Sequence, residues 1–392
     1  MIKFNHLYRI DLYPNSRRWV CALALGVWLS AGSGTGAVYA YAEPEPDTPA
    51  VTAAARNEQL QLEVKASPNA TYVTQTGLTD KKLIRELDAA AEGGAWSSPL
   101  PPDTTLRYPS SSGAQRELGI TPAGDVVDLA RGRMLRVGEA TRRKLAEQVA
   151  AQRAKHYGEL LTWTEANLLV PKYSSFTIVD VETGLHFRGQ RRAGSSHADV
   201  QPLTKADSAA LKAIYGGAWS WDRRAVLVEI DGRRLAASMH GMPHGGDGIP
   251  DNGFNGHFCI HFLGSETHSS HNVDPAHQVM VHKAAGQLPA YLAKLSAWEL
   301  IDVWIAAANQ GDQQLLQAVS AATPPNAVPV RTMRRLSRFP ERDTTALLEL
   351  QTEVDVLATP EGRSQPQQRR VLFHLERDSP ADGWRIRRAE LR

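Results

Sequence analysis

Residues 224–241 read RAVLVEIDGRRLAASMHG, in which two apolar-rich runs, AVLVEI and RRLAASM, are joined by Asp231-Gly232. An Asp-Gly pair tolerates positive φ at both central positions of a two-residue loop, so the stretch predicts a tight β-hairpin of type I′. A second hairpin is predicted upstream, where FTIVDV (176–181) and LHFRGQ (185–190) flank Glu182-Thr183-Gly184. Between them, TKADSAALKAIY (204–215) predicts one short helix, with Thr204 at its N-cap and Asp207 three residues on. The region from Tyr173 to about Val279 therefore reads as a mostly-β domain with a small helical insertion.

Further along, HFCIHF (257–262) alternates strictly, which predicts a strand with Phe258, Ile260 and Phe262 on one face and His257, Cys259 and His261 on the other. Side chains two apart on a strand face stand roughly 6–7 Å apart, so two imidazoles flank one thiol. Eight of the 13 histidines fall between His240 and His282, around that cysteine. A cysteine attacks as thiolate, and a neighbouring imidazole or cation lowers its pKa. The sequence thus predicts a nucleophilic Cys259 with His240 or His244, in MHGMPHGGDG, as general base. The glycines of that segment and the turn through Pro250, Asn252 and Gly253 allow backbone to approach a substrate and to offer N–H groups to an oxyanion.

Working outward, Arg17 and Arg18 precede an apolar run, Trp19–Leu29, followed by AVYAYA (37–42). This is the pattern of a secretory signal peptide over 1–42, cut after Ala40 or Ala42. It predicts a secreted or cell-envelope, extracytoplasmic protein that meets a membrane only through an uncleaved signal segment. The chain has two cysteines, and Cys21 lies inside that segment, so Cys259 is left without an internal disulfide partner. EPEPDTPAVTAA (43–54) is an acidic, Pro-rich linker, and 43–137 as a whole has no clear pattern. A helical connector is expected over 138–172, and the catalytic region over 173–287. The final part, 288–392, holds two helices (297–308 and 312–321) and then strand-like runs, an α+β order. It resembles the cone-shaped domains related to nuclear transport factor 2. Net charge is +2, from 44 basic and 42 acidic side chains, so no overall field points to nucleic acid.

The residues from Tyr173 to Val279 resemble the L,D-transpeptidases. That family carries His-Gly at a strand end, a loop, and then Ser/Thr-His-Gly-Cys; here His240-Gly241 and Gly256-His257-Phe258-Cys259-Ile260-His261 look like the two elements, with 15 residues between His240 and Gly256. Gly256 stands for the Ser/Thr, Phe258 for the glycine, and His261 where Arg or Asn is usual. The resemblance implies a β-sandwich catalytic domain without cofactor, with Cys259 acylated, His240 as base and His257 in support. It implies peptidoglycan stem peptides as partners. The thiolate would attack the carbonyl of the third residue and release the terminal D-alanine; a neighbouring stem amine would complete a 3→3 cross-link, and water would make the enzyme an L,D-carboxypeptidase.

Two other readings stay open. His257, Cys259 and His261 with His240 or His244 form a donor set for zinc, with Asp247, Asp251 or Asp274 as oxygen ligands. His197 and Asp199, in SSHADV, add a further pair similar to that of zinc-dependent D,D-peptidases. The alternative to both is a wall-binding module without catalysis. Trp221 and Arg223, or Arg224, are candidates for a substrate groove and its carboxylate contact, and Gly241 and Gly256 for close backbone approach. His268, His271 and His282 are expected to cap turns or face solvent, and His277 to do so or to orient the site from behind.

Overall fold

The computed structural model describes residues 60–246, 248–268, 271–321, 330–360 and 365–392. The signal segment, the 43–54 linker and Asp247 lie outside the described residues, which are mainly β: seventeen strands and eight helices.

The first elements are β1 (Leu60–Val64), β2 (Thr74–Leu78), α1 (Lys81–Ala89), β3 (Ala91–Ala95), β4 (Thr104–Pro109), β5 (Gln115–Ile120), β6 (Val126–Asp128), β7 (Arg133–Arg136) and α2 (Glu139–His156). From Leu60 onward, the stretch without clear pattern is thus a seven-stranded sheet of order β2-β1-β4-β5-β6-β7-β3. In β4, Thr104, Leu106 and Tyr108 turn inward in alternation. Leu106 and Tyr108 meet Leu83 and Leu87 of α1 and Leu145 and Val149 of α2 in one apolar cluster. The connecting helix is shorter than the sequence suggests. It stops at His156, and the amides of Gly158 and Glu159 are then taken by the carbonyls of Ala284 and Arg234. A second short helix, α3 (Trp163–Leu169), starts at a reciprocal Thr162–Glu165 cap.

The central region contains β8 (Ser175–Asp180), β9 (His186–Ala193), β10 (Ala198–Pro202), α4 (Lys205–Ile214), β11 (Arg224–Ile230), β12 (Arg233–Met239), β13 (Phe258–His261) and α5 (Pro275–Ala284). Asp231 and Gly232 have φ of 49° and 74°, and β11 and β12 pair in unbroken register from Ile230↔Arg233 to Arg224↔Met239. A sandwich is expected from the resemblance; the six strands instead close into a barrel, β10-β13-β12-β11-β8-β9. Closure follows from β9 pairing with β10 through a register shift at Asp199/Val200, a local irregularity of the kind that increases strand twist and bend. Ile178, Phe187, Val200, Val226, Val228, Leu235, Phe258 and Ile260 share one buried cluster. Each side chain of this size stabilises the fold by roughly 1.5–3 kcal/mol when fully buried.

The chain continues through α6 (Leu288–Leu292), α7 (Ala297–Gln310), α8 (Gln313–Val319), β14 (Val330–Arg335), β15 (Glu349–Pro360), β16 (Gln367–Glu376) and β17 (Arg385–Leu391). The last four form an antiparallel sheet in sequence order. Helix α7 begins at a Ser296–Glu299 capping box and ends at Gly311 with φ of 61°. The hydrophobic core does not break at residue 287. Val179, Leu227 and Ala236 of the barrel, Val279 and Met280 of α5, Trp304 of α7, and Val354 and Phe373 of the last sheet belong to a single cluster. Helix α5 is therefore the shared layer, and it carries His277 against the barrel wall. Among the described residues no helix is long and apolar enough to cross a membrane.

Candidate functional site

On β13 the alternation divides the strand as its sequence suggests. Phe258 and Ile260 join the buried apolar cluster, and His257, Cys259 and His261 occupy the opposite face. The register then selects their neighbours: Asp199 of β10 pairs with Cys259, and Ser238 of β12 with His261. Directly opposed residues are the side chains that meet across strands, so a carboxylate stands beside the thiol. Helix α5 covers the His261 end, where His277 is fully buried and its Nδ1 lies 2.9 Å from Ser238 Oγ.

Cys259 is 4% exposed, with His244 Nε2 3.4 Å from Sγ and Asp199 Oδ1 3.9 Å from it. The flanking imidazoles were expected to acidify the thiol. Burial, and then the Asp199 carboxylate, instead push its pKa up. His261 is turned away into a stack, 3.8 Å from the His277 ring and 4.6 Å from the His197 ring. His240 also stands back: it packs 4.6 Å from Trp221 and 5.1 Å from His244, and its Nδ1 has no hydrogen-bond partner. Burial holds His240, His261 and His277 well below the usual histidine range, with nearby charged side chains adding to the effect.

The position against the sulfur therefore belongs to His244. Its Nδ1 lies 3.0 Å from the Met242 carbonyl, which leaves Nε2 toward Sγ. Paired backbone bonds fix the loop: the His244 amide donates to the His257 carbonyl at 3.0 Å, and the His257 amide to the His244 carbonyl at 2.7 Å. Gly256 makes this crossing possible. Its φ is 109°, and a Cβ there would lie 2.3 Å from the His244 carbonyl oxygen. At Gly245, a Cβ would fall 2.3 Å from the His257 ring.

No protein-family model matches the chain, and neither do curated proteins or solved structures.

The reading of the site rests on its own geometry, and that geometry adds three residues to the strand. Asp199 is 5% exposed, and His268 Nε2 lies 2.9 Å, His197 Nε2 3.2 Å and His257 Nε2 3.7 Å from its Oδ1. Burial alone would raise the carboxyl; the surrounding imidazoles of His197, His257 and His268 outweigh it and hold it at about 2. His197 has its Nδ1 2.7 Å from the Glu266 carbonyl, while its Nε2 is close to Asp199 without a hydrogen-bond alignment. His257 is lowered by its own burial, with Asp199 opposing. The donor atoms of His244, His257, Cys259 and His268 all lie within 4.8 Å of one another, as do those of His197, Asp199, Cys259 and His268. His268, expected at a turn or in solvent, is thus part of the cluster, and the His197/Asp199 pair of SSHADV belongs to it. The one sequence signal available was that His-x-Asp spacing.

Several expected roles are taken up by structure. Arg223 donates to Asp274 at 2.7 Å and Arg224 holds Asp180 through two bonds at 2.9 and 2.6 Å, so neither guanidinium is free for a substrate carboxylate. Asp274 also caps α5, and Asp251 is exposed with φ of 58°. The proposed zinc set with His240 and His261 is not among the donor groups that converge. Gly241 packs flat on Tyr215, where a Cβ would come within 2.3 Å of the ring, and its amide is spent on the Ser220 carbonyl. His271 is exposed, and His282 stacks 4.0 Å from Tyr291. Trp221 is 49% exposed and lies 5.2 Å from the His244 ring, so it forms the solvent-facing wall beside the sulfur.

Proposed function

We propose that the chain is an exported cysteine acyltransferase or peptidase that acts on peptide amides, with Cys259 as nucleophile and His244 as the base. The observation that carries this reading is the relay Sγ···His244 Nε2 at 3.4 Å with His244 Nδ1 at 3.0 Å from the Met242 carbonyl. A carbonyl acceptor at Nδ1 fixes the tautomer whose Nε2 can accept the thiol proton, the arrangement needed for a base oriented by a third group. Because burial and Asp199 disfavour a resting thiolate, the proton leaves as the sulfur attacks. His244 Nε2 takes it, the S–C bond forms, and the carbonyl π pair moves to oxygen. Collapse breaks the C–N bond, and the imidazolium returns the proton to the departing amine. An incoming amine or water then cleaves the thioester by the same steps in reverse.

The resemblance of His240-Gly241 and Gly256–His261 to the L,D-transpeptidase elements supplies the substrate class, a peptidoglycan stem peptide. An extracytoplasmic location goes with that substrate. His240, His257 and His261 then act from behind: His240 packs against His244, His257 fixes the loop, and His261 fills the stack beneath the thiol. The test is covalent. A carbapenem-type acylating reagent added to the mature chain should give one equivalent of adduct by intact mass, mapped to Cys259 and absent in Cys259→Ala. A wild-type chain that stays unmodified through prolonged exposure would overturn the proposal. A second reading, in which the cluster holds a metal, is favoured by the convergence of donor atoms on Cys259.

A further inference from the structure

We infer that the cluster also binds Zn²⁺, through Cys259 Sγ and the imidazoles of His244, His257 and His268, so that one sulfur is either nucleophile or metal ligand and zinc holds the site closed. The regulatory half rests on the cysteine reading above; the binding half does not.

Three observations carry it. The four donor atoms lie within 4.8 Å of one another, and His244 Nε2 is already 3.4 Å from Sγ. Zn–N and Zn–S bonds of about 2.0–2.3 Å in a tetrahedron set donor atoms about 3.5 Å apart, so the remaining ligands need only small rotations. His268, with a side chain 50% exposed, stands at the rim and has the freedom to make the last one. Second, a backbone carbonyl holds the far nitrogen of one ligand ring, His244 Nδ1 at Met242. Anchoring of this kind fixes the tautomer and orientation of a metal-binding imidazole. A second ligand ring has its nitrogen unpartnered: His257 Nε2 is buried without a hydrogen bond.

The third observation is charge. Asp199 is buried, and among the described residues its ion-pair partners are all imidazoles. A buried carboxylate without a fixed cation is costly. A divalent ion that displaces the thiol proton to solvent brings the set of metal, thiolate and carboxylate to zero net charge. Thiolate with imidazole is donor chemistry suited to Zn²⁺ rather than to Mg²⁺ or Ca²⁺, which take oxygen. His240 and His261 are outside the set because their rings are engaged against Trp221 and His277.

The test uses the full chain, stripped with chelator and then titrated with Co²⁺ or Zn²⁺. One equivalent of Co²⁺ should produce a thiolate-to-cobalt charge-transfer absorption that is absent in Cys259→Ser. His268→Ala, at the rim, should weaken Zn²⁺ binding to the stripped chain at least tenfold. Zn²⁺ should slow alkylation of the stripped wild type by iodoacetamide at least tenfold. A stripped chain that alkylates readily, shows no charge-transfer band and is unprotected by Zn²⁺ overturns the metal site and leaves the enzyme reading intact. A chain that binds one Zn²⁺ through Cys259 but never acylates when stripped supports the metal site and overturns the enzyme reading.

Discussion

Acidification should unfold this barrel earlier than its carboxylates alone would dictate. His240, His261 and His277 are 4%, 2% and 1% exposed, and burial depresses all three imidazoles far below the ordinary value. The folded pKa lies below the unfolded one, so the unfolded chain takes up protons first; the native state keeps its full stability above about pH 6.5 and loses it as the pH falls. Each group that stays neutral only in the native state costs about 1.4 kcal/mol per pH unit once its unfolded counterpart is protonated. These three groups contribute about 4 kcal/mol per unit below about pH 6, a large share of a typical total of about 5–15 kcal/mol, and the burial-lowered His156, His257 and His282 add to the same slope. Asp199 adds no slope in this window, because it ionises at about 2. Guanidinium unfolding followed by tryptophan fluorescence between about pH 7.5 and 5 reads the slope directly, and His277→Phe should reduce it by about 1.4 kcal/mol per pH unit. A free energy of unfolding that is flat across that range would refute the burial argument for all three rings.

Two further substitutions probe the frame of the site. Asp180→Ala leaves the Arg224 guanidinium without its paired acceptor and frees the Thr183 amide, which Asp180 Oδ2 accepts at 2.9 Å; a loss of about 3–5 kcal/mol is expected from the denaturation midpoint, and a change below about 1 kcal/mol would contradict the assignment. Gly256→Ala forces a Cβ against the His244 carbonyl at a φ of 109°, costing about 1–3 kcal/mol in backbone strain before any displacement of the loop. The expected signature is at least a tenfold fall in acylation at Cys259 with the N-terminal sheet still folded, and unchanged acylation would show that the His244–His257 crossing is not needed.

Local signals were legible in the sequence wherever a few adjacent residues decide the outcome. Asp231-Gly232 adopts the positive φ pair that its hairpin requires, Thr204 and Asp207 cap α4 reciprocally, and HFCIHF splits its faces by simple alternation. What was hidden is long-range. The residue opposite Cys259 comes from a strand 60 positions earlier, and no pattern within HFCIHF says whether that neighbour is a cation or an anion. It is Asp199, which adds to burial in raising the thiol where an acidifying neighbour was expected. His268 looked like a loop histidine because only the fold brings it back to Asp199. Which of His240 and His244 lies against the sulfur is likewise set by a loop crossing that Gly245 and Gly256 permit, at distances sequence spacing does not encode. In the N-terminal sheet β1 (LQLEV) does alternate, but it is only five residues long, and β2 (TQTGL) and β3 (AEGGA) are poor in apolar residues, so neither period nor propensity marked the sheet as a whole. The shared α5 layer erased a boundary at 287 for the same reason: its two faces pack on partners far apart in the chain.

The most direct test of the account is the pH dependence of iodoacetamide alkylation at Cys259 in the wild type and in His244→Ala, read by peptide mass. Transfer of the thiol proton to His244 predicts appreciable reaction near neutral pH in the wild type and at least a tenfold loss in the variant, with reactivity recovered only in strongly alkaline buffer. Superimposable profiles for the two proteins, both rising only at alkaline pH, would contradict it.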